Sequence, residues 1–358
     1  MVNLIEMDSS NYFNMMRATS SIVHPIMREE LSIFKDSKEL YEVISKIPEA
    51  FFKQDTSIRA YLLRASYQAV SSNDWKWIAP VGASIEFLLA SMYYCNWIQD
   101  DKGGVRTKEE DKNILTAAFM TREISERVLK RLKENISAEN LADISTLLNE
   151  ANTIFHEGQF IDININTYPH LNIPASEKEM LDLYLDRTYK INGAFIERIT
   201  RIGAMLGNGT EEQVSTLAEF GKNFGIAQQM VNDVADFVPS KENHYTSTKI
   251  PENAYSDIRH GRLTFPLIYT IHNDPNNQRV QKIIDVLTSK QTDKELEEIT
   301  HILNQNGAIQ HTIRTAREYK KRAKEAIKNF PLETRRLFNS TLVLIDANRY
   351  YKSIQKYC

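Results

Sequence analysis

The run Gln228-Gln229-Met230-Val231-Asn232-Asp233-Val234-Ala235-Asp236 is followed, 21 residues after Asp236, by Asp257-Ile258-Arg259-His260-Gly261-Arg262-Leu263-Thr264-Phe265-Pro266-Leu267-Ile268. Positions i and i+4 of a helix share a face. Asn232 and Asp236 therefore place two oxygen donors side by side, with Asp233 next to the first, and grouped oxygen donors suit a hard divalent cation such as Mg²⁺. A second constellation runs from Asn96 to Arg106, where Asn96 and Asp100 again stand at i and i+4 and Gly103-Gly104 turns the chain towards Arg106. Carboxylates and amides beside cations are the donor set for a metal-bound diphosphate.

The elements that must carry these residues are helices. Glu123 to Leu132, Met180 to Leu206, Glu211 to Phe237, Lys294 to Leu303 and Ala308 to Phe330 place apolar residues at threes and fours between charges. No alternating strand pattern appears, so an all-α fold is expected. Breaks are expected at Gly103-Gly104, Asn166 to Pro174, Gly207-Asn208-Gly209, Pro239 to Pro251 and Asn273-Asp274-Pro275. Ser176 with Glu179, and Thr210 with Gln213, read as helix capping pairs. No repeat or linker is visible, which favours one large helical domain over residues 56–358, with residues 1–55 as an added helical layer.

Composition narrows the classes. The 358 residues are 42% hydrophobic and 25% charged, enough for a large core, and the net charge of −3 lacks the basic excess that a nucleic-acid partner requires. Two cysteines, Cys95 and Cys358, offer no disulfide framework. The acidic start from Met1 to Asp8 lacks the basic and apolar pattern of a signal peptide, so no export and a cytoplasmic location are expected. Trp77 to Ile98 is apolar, yet Pro80, Glu86 and Asn96 interrupt it and Gln99-Asp100-Asp101 ends it. Polar groups at mid-span are costly in lipid, so a buried core helix is expected rather than a membrane span. Neither a Gly-rich nucleotide loop, nor a His-Glu-x-x-His helix, nor a Cys cluster is present, and His156, His260 and His311 have no partners at ligand spacing.

In order along the chain come Gly158-Gln159 with Asp162, then Lys190, then Phe224-Gly225-Ile226-Ala227-Gln228-Gln229 leading into Asn232 to Asp236, then Asp257 to Ile268. This succession resembles the trans-type isoprenyl diphosphate synthases, from about residue 58 to about residue 271. The resemblance implies a helical bundle of the isoprenoid synthase type, Mg²⁺ as cofactor, an allylic prenyl diphosphate as substrate and a homodimer. Where the family's second aspartate-rich motif carries three acids, this chain has Asn232, Asp233 and Asp236 as the implied metal ligands. The first motif reads Asn96-Trp97-Ile98-Gln99-Asp100, with Asn96 and Asp100 implied at the metal; a rival register starts at Asp100-Asp101. Lys190, Lys249 and Arg262 match the cations around the allylic diphosphate, Gln229 matches the glutamine beside the second motif, and Arg106 matches the second of two paired arginines, the first being Val105.

The chain departs most from the family at the homoallylic pocket. The family's lysine and arginine become Thr56 and Arg59, and its histidine three residues past Glu86 becomes Leu89. Two missing charge-assisted contacts, at about 1.5–3 kcal/mol each, weaken binding by a few hundred-fold or more, so isopentenyl diphosphate is expected to be a poor second substrate. Lys190, Gln229 and Arg262 are implied at the reacting diphosphate, and Arg59, Arg106, Lys190, Lys249 and Arg262 in substrate binding. Phe87, Tyr93, Tyr94 and Trp97 can shield a carbocation or serve as plain core. Ser91 is small where short-chain members carry a bulky stop. Three readings stand: prenyl transfer to an acceptor other than isopentenyl diphosphate, cyclisation to a terpene on the same fold, and a non-catalytic partner subunit of a synthase.

Overall fold

The computed structural model describes residues 2–54, 57–100, 106–165, 167, 176–237, 255–289 and 292–345, with side chains from residue 13 onward. Fifteen α-helices follow in order: α1 (Val2–Ser32), α2 (Lys38–Gln54), α3 (Ile58–Val70), α4 (Ala79–Gln99), α5 (Lys108–Leu129), α6 (Ala138–Asn164), α7 (Glu177–Thr188), α8 (Ala194–Leu206), α9 (Glu211–Asp236), α10 (Ser256–Arg259), α11 (Phe265–Asn273), α12 (Asn277–Thr288), α13 (Asp293–Gln305), α14 (Ala308–Ala326) and α15 (Leu332–Thr341). Among the described residues the sole extended pairing is an isolated bridge between Thr167 and Arg262. The fold is all-α, as the periodicity predicts.

Contacts divide the chain into two compact units: residues 1–153, 194–222 and 323–343, and residues 154–193, 223–322 and 344–358. The division falls inside α6, α9 and α14, so no linker marks it in the sequence.

In the first unit α4 is the axis. The apolar stretch Trp75–Gln99 has a mean hydropathy of 1.3 over its most apolar window, and 83% of that window is buried by protein. It is therefore a core helix. Pro80 lies in its first turn, where a missing N–H costs nothing. α1, α2, α3 and α5 cover it. Residues 1–55, expected as an added layer, pack as α1 and α2 in this unit; Val23, Met27 and Leu31 of α1 are fully buried. Buried Glu30 of α1 is paired by Arg127 of α5 at 2.6 Å. α5 opens on a capping box, Thr107 with Glu110.

In the second unit α7 opens on the expected box of Ser176 with Glu179. Its buried stripe is Met180, Tyr184, Arg187 and Thr188, a helical register that places one guanidinium on the buried face. The stretch Met180 to Leu206 is helical as its periodicity predicts, with a π turn at Tyr189–Gly193 between α7 and α8. The expected break at Gly207 to Gly209 is present, with Asn208 at φ 58°; that at Asn273 to Pro275 separates α11 from α12. The breaks at Gly103-Gly104 and Pro239 to Pro251 lie outside the described residues, as does nearly all of that at Asn166 to Pro174.

Candidate metal-diphosphate site

In the first unit the predicted ligands sit at the C-terminal end of α4. Asp100 closes the helix, its backbone N–H donating to the carbonyl of Asn96 at 2.8 Å, and its carboxylate is buried. The side-chain oxygen Oδ1 of Asn96 is buried without a hydrogen-bond partner. An unsatisfied buried carbonyl oxygen is costly, and a cation satisfies it. The rival start at Asp101, the Gly103-Gly104 turn and Val105 lie outside the described residues.

Arg106 is held on α5, Nε donating to Asp111 Oδ1 at 2.8 Å. Arg59 is half-buried, and its Nε has no hydrogen-bond partner. Its charge faces Glu86, a buried carboxylate whose Oε1 accepts from the Ala60 N–H at 3.3 Å. Burial pushes Glu86 up to about 7, against the opposing pull of Arg59, Ala60 and Ser57. Thr56 lies outside the described residues; Leu89 is buried.

The nearby aromatics have protein partners. Phe87 and Tyr94 are buried, and the Tyr94 hydroxyl donates to Val43 O at 2.8 Å while accepting from Ile47 N at 3.0 Å. Lys46 lies over the Trp97 ring at 5.0 Å, and Tyr93 meets Phe51 edge-on. Ser91 donates to Ala118 O at 2.8 Å, so its smallness serves the seam between α4 and α5.

In the second unit Lys190 stands on the π turn. An added Cβ at Gly158 would lie 2.8 Å from Lys190 Cβ, and one at Gly225 would lie 2.8 Å from Gly193 Cα. These two glycines let α6 and α9 close on the turn, and Asn192 Nδ2 pins it by donating to Gly225 O at 2.8 Å. Lys190 Nζ rests 2.9 Å from Asp186 Oδ2 and remains partly exposed, a cation on a weak surface pair. Lys249 lies outside the described residues.

The carboxylates of the second motif are occupied. Asp233 is fully buried; Gln229 Nε2 donates to its Oδ1 at 2.8 Å, the Tyr184 hydroxyl donates to Oδ2 at 2.7 Å, and Arg187 Nη1 lies 3.3 Å from Oδ2. Burial pushes Asp233 up to about 6, with the Asp257 charge adding to the rise and Arg187 opposing it. Asp236, also fully buried, accepts from the backbone N–H groups of Ser256 at 3.2 Å and Asp257 at 3.0 Å. Arg187 Nε approaches Asp162 Oδ1 at 2.6 Å as an ion pair rather than an aligned hydrogen bond. Arg262 is buried between Asp162, at 3.2 Å, and Asp257, at 3.6 Å. Asn232 is half-exposed.

The two motifs thus fit a divalent cation differently. The unpartnered Asn96 oxygen fits one, with Asp100 beside it in sequence. Asp233 does not fit, since a hard cation needs oxygen lone pairs facing an open position and both its oxygens face side-chain donors inside the protein. Among the described residues no group of three His, Cys, Asp or Glu side chains is spaced to hold a metal. Arg187 and Tyr184 are the residues that sequence reasoning missed; the available signal was a charged residue on the buried stripe of α7. A groove of about 650 Å³ in the second unit, lined by Leu181, Leu185, Phe265, His311, Arg314 and Arg322 among others, contains none of the predicted site residues.

The Polyprenyl synthetase family profile matches residues 41–303. A short chain isoprenyl diphosphate synthase of Methanocaldococcus jannaschii is 26% identical over 283 residues, covering 77% of this chain and 80% of that protein. The crystal structure of geranylgeranyl pyrophosphate synthetase from Pyrococcus horikoshii superposes with a TM-score of 0.77 at 20% identity, covering 94% of this chain and 98% of the other. That of a polyprenyl synthase from Caulobacter crescentus, complexed with calcium and isoprenyl diphosphate, gives 0.73 at 16% identity, covering 95% and 96%.

Proposed function

The chain belongs to the polyprenyl synthetase family, and on that premise we propose that it is a prenyltransferase that ionises an allylic prenyl diphosphate with Mg²⁺ and passes the prenyl group to an acceptor other than isopentenyl diphosphate. The observation that carries the metal part is the buried Asn96 oxygen without a partner. Mg²⁺, when bound, supplies charge to stabilise the departing diphosphate. Asn96 and Asp100 are its proposed ligands, an amide oxygen and one carboxylate.

The chain's own residues do the rest. Lys190, whose ammonium is held only by exposed acids, turns to a phosphate oxygen at little cost. Arg106 and Arg59 bind phosphate oxygens as charge-assisted donors, Arg59 with an Nε that has no competing hydrogen bond. Gln229 is oriented by its bond to Asp233, and Arg262 by its carboxylates, so both are fixed before substrate arrives. The allylic carbocation left behind requires apolar walls and little water. The poor fit to isopentenyl diphosphate follows from Thr56 and Leu89, which remove two polar contacts. A cytoplasmic homodimer, with residues 1–55 as an added layer, completes the proposal.

The test is incubation of the purified chain with geranyl, farnesyl and geranylgeranyl diphosphates and Mg²⁺, each with and without isopentenyl diphosphate, with products read by mass. Allylic diphosphate consumption with slow or no elongation is expected. Efficient elongation overturns the acceptor assignment; hydrocarbon products favour cyclisation; no consumption without an added synthase favours a partner subunit.

A further inference from the structure

The second unit holds a buried charge cluster in which Arg187 has no part in the proposed chemistry. Arg187 is 2% exposed, with Asp162 at 2.6 Å, Asp233 at 3.3 Å and the Tyr184 ring 5.9 Å from its Cζ. Burial works against its charge, yet Asp162, Asp233 and Asp257 together hold its pKa above the ordinary arginine value. The second oxygen of Asp162 faces Arg262, so two guanidiniums alternate with three carboxylates, Asp233, Asp162 and Asp257. In an open metal motif, by contrast, the ion itself neutralises the carboxylates.

We propose that Arg187 is a resident counter-cation that takes over, for Asp233, the charge compensation a divalent ion would supply, making Asp233 a positioning residue for Gln229 and not a metal ligand. Two independent observations converge on this. Both oxygens of Asp233 are engaged from within the protein, by Gln229 on one side and by Tyr184 and Arg187 on the other. The neighbouring position that could add negative charge is the neutral Asn232. A guanidinium suits the role because it stays charged when desolvated and its fork reaches two carboxylates at once. Divalent-ion binding then depends on Asn96 and Asp100, and to that extent the inference rests on the metal-diphosphate reading.

The experiment uses the full chain with Mn²⁺ as probe, counted by electron paramagnetic resonance with inorganic pyrophosphate present, and followed by thermal unfolding with the metal alone. Asp233→Asn should keep the wild-type number of bound ions with affinity within about twofold, while Asn96→Ala should weaken binding about tenfold or more, the loss of one ligand contact. Arg187→Met, which strands buried carboxylates, should gain a Mn²⁺-dependent rise in Tm larger than that of the wild type or of the Arg187→Met/Asp233→Asn double variant. Loss of a bound ion in Asp233→Asn, or an Arg187→Met variant no more responsive to Mn²⁺ than the wild type, overturns the proposal. If Arg187→Met fails to fold in chelator, recovery by Mn²⁺ supports it and no recovery counts against it. A wild-type chain that binds no Mn²⁺ even with pyrophosphate defeats the metal-diphosphate reading, while the metal-alone unfolding comparison still decides the role of Arg187.

Discussion

Replacing Glu86 with glutamine probes what the core around α4 requires of a buried acid. The carboxyl lies 3% exposed, accepts one backbone N–H at 3.3 Å and titrates at about 7 in the folded chain against an ordinary 4.5. A raised folded pKa means that between these values the folded state holds the proton more firmly than the unfolded state. The contribution is therefore complete below pH 4.5 and is lost as pH rises through about 7. The gap of about 2.5 pH units, at about 1.4 kcal/mol per unit, amounts to about 3.5 kcal/mol at most. Glutamine keeps the shape and stays neutral. Urea unfolding from pH 4 to 8.5 should show the two proteins nearly equal at the acid end and the Glu86→Gln variant more stable by up to about 3.5 kcal/mol at the alkaline end. Asp233, raised from 3.8 to about 6, tilts both curves alike and cancels in the difference. Parallel curves across the whole range would refute the reasoning.

Three further outcomes follow from the same geometry. Asp100→Ala should cut turnover of farnesyl or geranylgeranyl diphosphate with Mg²⁺ by about a hundredfold or more, the scale of one lost charge-assisted contact, with helical circular dichroism intact. Asp236→Ala should abolish turnover for a different reason, since it strands the N–H groups of Ser256 and Asp257; wild-type rates in both variants would contradict the site assignment. Gly225→Val should destabilise by about 1–3 kcal/mol or more, because its Cβ would meet Gly193 Cα at 2.8 Å, and an unchanged Tm would contradict the close packing of α9 on the turn that carries Lys190.

Local and periodic features were legible in the sequence. The capping pairs Ser176 with Glu179 and Thr210 with Gln213 form as their spacing predicts, and the polar interruptions of the apolar stretch ending at Ile98 marked α4 as core. Gln229 and Asp233, four apart, meet as helical neighbours should. What was not legible depends on partners distant in the chain. Whether Asp233 opens to an ion or closes on a guanidinium is decided by Arg187, 46 residues away, and by Asp162 beyond it. The use of Ser91 as a seam contact and of Trp97 as a platform for Lys46 likewise required the neighbouring helix.

The buried axis α4 also bears on how the chain is made. While it is being synthesised, its 25-residue apolar stretch has the length and composition of a segment that membrane-insertion machinery accepts. The polar interruptions Pro80, Glu86 and Asn96 count against that fate, and its protein cover is translated on both sides of it. α1, α2 and α3 precede it, and α5 is complete at residue 129, 30 residues past the end of α4. At about 5–20 residues per second that interval is roughly 2–6 s. The stretch is thus sticky for seconds rather than minutes. Lengthening the segment between α4 and α5 would prolong that window, raising aggregation during synthesis without altering a single contact of the finished protein.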